Sequence, residues 1–201
     1  HHIFEAALQS GGTELYGSHL PDCIYHNLKP GIDTRRYQQE AFGRFVYYWT
    51  KYRNRLKEMP VQLLFHMATG SGKTLIMAGL IMYLHEQGYR NFLFFVNSTN
   101  IIEKTRENFL NPASSKYLFA ETIEIGNKRI RIKEVENFQA ANQEDINIVF
   151  STIQGLHSRL NTPKEASVTY EDFDDQKIVF ISDEAHHLNA DTKQGKQINH
   201  E

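Results

Sequence analysis

From Val61 onward, apolar runs of strand length alternate with longer stretches whose apolar residues recur at helical spacing. That alternation is the pattern of a parallel sheet covered by helices. Residues 61–67, apolar except for Gln62 and His66, predict a buried strand. Thr69-Gly70-Ser71-Gly72 then turns the chain into a helix expected from about Lys73 to Gln87, apolar on almost every side, with Gly88 placed to end it. Residues 92–96 predict the next strand, which runs into polar Asn97-Ser98-Thr99-Asn100. Asn100 and Glu103 have the spacing of a capping box, with Asn in place of Ser or Thr, so the following helix is expected from Asn100 to about Leu110, with Pro112 marking its end. Residues 146–150 and 177–181 predict two further strands, each running straight into polar residues.

Two segments depart from this rhythm. Ile123-Glu124-Ile125, a Gly126-Asn127 turn and Arg129-Ile130-Arg131-Ile132 alternate apolar and polar residues about a turn dipeptide, which predicts an antiparallel hairpin inserted into the fold. Residues 36–56 have helical spacing rich in aromatics: Tyr37, Phe42, Phe45, Tyr48, Trp49 and Tyr52. Packing of that stripe on the core is the favoured reading, and a platform for stacking bases is the lesser one.

Composition narrows the picture only modestly. Over 201 residues, 22 Lys and Arg face 24 Asp and Glu, a net charge of −2 with 23% charged residues. This excludes a polybasic binder and an acidic disordered chain, but not a local nucleic-acid surface. One cysteine, Cys23, forms no internal disulfide, and one thiol builds no zinc site by itself. The longest apolar stretch, Leu75 to Leu84, contains Gly79 and falls far short of the roughly 20 residues that span a bilayer. A soluble, cytoplasmic protein with no membrane partner is expected. The ends, His1-His2-Ile3 and Asn199-His200-Glu201, suggest a tag remnant at residues 1–2 and a piece cut from a longer polypeptide.

The strongest chemical signal is Ala68-Thr69-Gly70-Ser71-Gly72-Lys73-Thr74 between an expected strand and an expected helix. A triphosphate needs inward backbone N–H donors, glycines that let the backbone approach, a lysine against the β and γ charges, and a hydroxyl for Mg²⁺. Thr69, Gly70, Ser71, Gly72, Lys73 and Thr74 meet those needs for ATP, although the outermost glycine of the usual pattern is replaced by Met67. The second signal is Ser182-Asp183-Glu184-Ala185-His186-His187 after the apolar run ending at Ile181. In an open α/β sheet, ligands sit beyond the carboxyl ends of the strands. Asp183 suits Mg²⁺, with Thr74, and Glu184 suits activation of the attacking water. Adjacent His186 and His187 converge poorly on one ion, and a zinc site is not favoured.

Taken in order, the phosphate loop, the strand ending in Asn-Ser-Thr, Ser151-Thr152-Ile153-Gln154-Gly155-Leu156 and Asp-Glu-Ala-His resemble the first motor domain of a superfamily 2 helicase or translocase. The wording of residues 67–74 and 181–187 most resembles the restriction (Res) subunit of type III restriction-modification enzymes. The resemblance spans about residues 33 to 190 and implies a RecA-like α/β P-loop domain over 33–201, with 1–32 as an N-terminal extension. It implies an ATPase that works on double-stranded DNA, completed by a second motor domain, a nuclease domain elsewhere in the polypeptide and a methyltransferase subunit. Arg35-Arg36-Tyr37-Gln38 resembles the adenine-reading motif of related members, implying that Gln38 bonds the base edge with Arg35 or Tyr37 beside it. Asn97, Ser98 and Thr99, with Thr152, Gln154 and Gly155, align with strand-tracking motifs that touch DNA phosphates. A role as helix caps is nearly as good a reading for these residues, and one residue can serve both. Asp175-Gln176-Lys177 only faintly echoes a nuclease element and is expected to be a surface turn. The alternative function is a nucleotide-gated DNA-binding module of another translocase, of type I restriction or repair, with little chemistry of its own. A small-molecule kinase is disfavoured, because no acceptor lid or Arg-rich segment follows the loop.

Overall fold

The computed structural model describes residues 20–52, 61–139, 141–161 and 177–183. The elements in chain order are α1 (Asp22–Tyr25), α2 (Arg36–Tyr52), α3 (Lys73–Glu86), β1 (Asn91–Val96), α4 (Thr99–Leu110), β2 (Ile123–Ile125), β3 (Lys128–Ile130), β4 (Ile132–Glu134), β5 (Ile146–Thr152), α5 (Ile153–Asn161) and β6 (Ile178–Ser182). The chain divides into two compact units, His1–Tyr83 with Leu118–Asn127, and Leu84–Tyr117 with Lys128–Glu201.

The first unit is built on α2 and the start of α3. Phe42, Phe45 and Trp49 of α2 are buried while Tyr37 is exposed, so the middle of the aromatic stripe packs inward and its first residue does not. Phe45 stacks on Trp49 and meets Tyr83 edge-on, with ring centroids 5.9 and 5.8 Å apart. The close approach of α3 depends on Gly79, where a Cβ would lie 2.5 Å from the Phe42 ring. Asn27, almost fully buried, ties α1 to the strand beginning at Ile123. Its Nδ2 donates to the carbonyls of Cys23 and Glu124, and its Oδ1 accepts from the Glu124 N–H. Cys23 is buried beside it.

One expectation fails here. Residues 61–67 form no strand. Leu63, Phe65 and Met67 are half-buried while Gln62, Leu64 and His66 are exposed, so side chains alternate but no ladder forms. Apolar content alone does not make a strand. The backbone donors and acceptors need a neighbouring strand, and no described strand pairs with this segment.

The second unit holds a four-stranded sheet in the order β4-β5-β1-β6, with every neighbouring pair parallel. Its two inner long strands, β1 and β5, are near-continuous apolar runs buried along almost their whole length, as strands covered on both faces are. Phe92, Leu93 and Phe94 of β1 and Ile148, Val149 and Phe150 of β5 are buried. On one face Leu93, Val149 and Phe138 form a core joined by Phe95, Leu156 and Ile178. Helix α4 packs on β1, β4 and β5, burying Ile102 and Phe109 and laying Arg106 over the Phe150 ring.

The hairpin is present as the two-stranded ribbon β2–β3. Gly126 and Asn127 both have positive φ, 59° and 62°, as the two central residues of a tight hairpin turn of the twist-matched type require. Ile132 lies outside the ribbon, because β4 leaves it to pair with β5. Helix α3 ends as expected. Gly88, at φ 96°, donates to the His85 carbonyl and Tyr89 to that of Leu84, the paired bonds of a Schellman end. No helix among the described residues is long and apolar enough to cross a membrane.

Candidate functional site: a phosphate loop and the carboxyl edge of a parallel sheet

The loop before α3 is folded by its own backbone. Gly70 and Gly72 have φ of 76° and 85°, a region side-chain-bearing residues rarely occupy. Between them, Ser71 donates both its N–H and its hydroxyl to the Ala68 carbonyl, at 3.2 and 2.6 Å. Gly72 sits just outside α3, and its carbonyl accepts from the N–H groups of Leu75 and Ile76. Lys73 and Thr74 therefore take the first two helical positions, both half-buried. Among the described residues, no protein acceptor takes the N–H of Gly70, Gly72, Lys73 or Thr74. Unpaired donors at the positive end of a 14-residue helix, beside a lysine and a hydroxyl, make a donor set suited to a polyphosphate with its cation.

Arg35, Tyr37 and Gln38, expected to flank a base, lie against this loop in the same unit. Arg35 precedes α2, and Gln38 three residues on sends Oε1 back to the Arg35 N–H at 2.9 Å. This is the returning half of a capping box. Its Nε2 donates to the Ser71 carbonyl at 2.8 Å, and the Tyr37 hydroxyl donates to the same oxygen at 2.9 Å. Arg35 Nη1 donates to the Tyr37 hydroxyl at 3.2 Å. Gln38 is buried rather than an exposed helix residue, and in this structure half of its amide's bonding capacity is turned to the protein. The shared acceptor at Ser71 was not legible beforehand. The three-residue interval from Arg35 to Gln38 signalled only the local capping bond.

In the second unit, parallel strands bring the remaining candidates to one edge. Phe95 is level with both Ser151 and Ser182, and Val96 with Thr152. Asn97, Ser98 and Thr99 thus follow β1, Gln154 and Gly155 follow β5, and Asp183 follows β6 at the same carboxyl edge. The capping box expected at Asn100 and Glu103 is replaced by a cap two residues earlier in the chain: Ser98, extended at φ −137° and ψ 136°, accepts from the Asn100 N–H. Glu103 instead meets Arg106. Thr152 Oγ1 accepts from the Gly155 N–H at 2.9 Å, so both hydroxyls serve as helix caps. Glu184, His186, His187, Asp175 and Gln176 lie outside the described residues.

The family model described as "Type III restriction enzyme, res subunit" matches residues 31–201. The chain belongs to the type III Res subunit family. A curated relative, the probable type III restriction-modification enzyme HindVIP Res subunit of Haemophilus influenzae, is 43% identical over 183 residues. The match covers 89% of this chain and 35% of that protein, so the chain spans about a third of its relative's length. No solved structure matches it. The Res-family assignment agrees with the mixed α/β fold and its parallel sheet, and it makes the loop before α3 the first place to look for nucleotide chemistry.

Proposed function

We propose that this chain is the first ATP-hydrolysing motor domain of a DNA translocase, within the restriction subunit of a type III restriction-modification enzyme. The observation that carries the reading is the loop at residues 69–74: two left-handed glycines, unpaired N–H groups at the start of α3, and Lys73 and Thr74 at its first two positions.

Lys73 and the N–H groups of the loop hold the triphosphate's negative charge. Thr74 and Asp183 would hold Mg²⁺, which supplies further charge neutralisation when bound. Glu184 orients and deprotonates the attacking water, while Arg35, Tyr37 and Gln38 flank the base. Catalysis is then positional and electrostatic. Asn97, Ser98, Thr99, Thr152, Gln154 and Gly155 face duplex DNA phosphates. The caps use the acceptor side of Ser98 and Thr152, and each O–H remains able to donate to a phosphate oxygen. A transition-state arginine, generally worth about 10³- to 10⁵-fold in rate, comes from a second motor domain, so this chain alone turns ATP over feebly. A nuclease domain and a methyltransferase subunit complete the cytoplasmic enzyme.

Fluorescent-ATP titration of this chain tests the reading. Lys73→Ala weakens binding by about 100-fold or more, a loss in the range of a buried charge-assisted contact; unchanged affinity overturns the assignment. In the full-length protein, Glu184→Gln keeps ATP binding and loses turnover.

A further inference from the structure

We infer that Tyr37 and Gln38 are positioning residues for the phosphate loop: they clamp the Ser71 carbonyl and thereby aim the Gly72 N–H at the anion. The inference rests on the nucleotide-binding reading above.

A carbonyl oxygen has two lone pairs, and Ser71 O accepts from two donors, Tyr37 Oη at 2.9 Å and Gln38 Nε2 at 2.8 Å. Its direction is therefore fixed twice. The phenol proton is fixed as well. Arginine carries donors only, so Arg35 Nη1 must donate to the Tyr37 oxygen at 3.2 Å, and the single phenolic proton goes to Ser71. In a planar trans peptide the C=O and the next N–H point in opposite directions. Holding the Ser71 carbonyl toward the start of α2 thus turns the Gly72 N–H away from it. That N–H is one of the donors with no protein acceptor among the described residues.

The clamp also explains why position 72 must lack a side chain. A Cβ there would lie 2.3 Å from Gln38 Nε2, displacing the amide from the carbonyl it holds. Gln38 is buried and braced by the Arg35 N–H, so it cannot yield without opening the first turn of α2. Base-side residues and the phosphate loop are therefore mechanically one unit. The consequence is specific: removing a clamp bond weakens the grip on phosphates even in a ligand with no base.

The test is calorimetric titration of this chain with Mg-ATP and, separately, with inorganic tripolyphosphate. Tyr37→Phe removes only the hydroxyl of a 39% exposed ring, so thermal melting should not move. The expected result is that Tyr37→Phe and Gln38→Met each raise the dissociation constant of tripolyphosphate, as well as that of Mg-ATP, by about 3- to 10-fold for the lost bond to Ser71. Weakened ATP with unchanged tripolyphosphate would show that these residues touch the nucleoside and do not position the loop, and the clamp is overturned. Unchanged affinity for both ligands overturns it equally. Lys73→Ala separates the two levels: if that variant still binds both ligands at wild-type affinity, it is the nucleotide-binding reading that fails.

Discussion

The two edges of the parallel sheet are built to different rules. At the amino edge, where β1 and β5 begin, polar groups are interlocked around buried His85, Asn91, Asp145 and Asn147. Arg90 donates from Nε to the Gln143 carbonyl and from Nη1 to those of His85 and Tyr89. Asn147, fully buried, donates to the Asn142 carbonyl at 2.8 Å. Asp145 accepts from the Arg131 N–H and pairs with Lys133, and Lys128 meets Glu144. At the carboxyl edge the polar groups are Asn97, Ser98, Thr99, Gln154 and Asp183, exposed or half-buried, and the side-chain bonds of Ser98 and Thr152 are local caps. Same sheet, same strands, opposite ends: one edge ties its polar groups across the fold, and the other keeps them exposed or half-buried.

Substitutions at the amino edge should therefore cost stability, and those at the carboxyl edge, its helix caps apart, should cost chemistry. The largest effect is expected for Asn147→Ala, which removes the shorter of the two hydrogen bonds to the Asn142 carbonyl and leaves a void. Urea unfolding should show a loss of about 2–4 kcal/mol with an unchanged m-value. Next comes pH. Burial holds the His85 imidazole below its ordinary range, with Arg90 acting in the same direction and Glu144 and Asp145 opposing. Its Nε2 meets the Glu144 carbonyl while Nδ1 is buried without a partner. The unfolded chain takes up a proton that the folded chain resists, so stability falls as pH drops below about 6.5, by at most about 1.4 kcal/mol per unit. Asp145, held below the usual carboxylate range, acts in a lower window: its stabilisation is present above about pH 4 and is lost as pH falls beneath that. His85→Gln should flatten the upper slope, as unfolding measured at pH 5.5 and 7.5 would reveal. Thr152→Ala follows, with about 1 kcal/mol lost from the cap and Thr152→Ser restoring it. Smallest of all, Asp183→Asn should shift stability by less than about 0.5 kcal/mol while abolishing Mg-ATP turnover in the full-length protein. A large stability loss at Asp183 would erase the contrast between the edges.

Much of this division was legible from residue order. Continuous apolar runs gave β1, β5 and β6 to within two residues, and Gly88 and Gly126-Asn127 marked a helix end and a turn because their backbone conformations demand those residue types. The loop announced itself through glycines beside Lys73 and Thr74. Residues 61–67 misled because strand formation depends on a partner, which local composition does not encode. Ser98 displaced Asn100 as the cap because the exit of β1 already holds Ser98 extended. The amino-edge network was not anticipated at all. Asn91, Asp145 and Asn147 are ordinary polar residues until parallel pairing stacks Asn91 beside Asn147. The double hold on Ser71 was equally hidden, since it joins residues more than 30 positions apart.

Cys23, packed beneath Asn27, gives the chain a practical property. Its sole thiol is only 5% exposed, and buried thiols react slowly with alkylating reagents. A cysteine introduced at exposed Gln154 or His157 would then be the one site that a maleimide dye labels quickly, with the native thiol left in place. A reporter fluorophore can thus be set beside the carboxyl edge without first engineering a cysteine-free background.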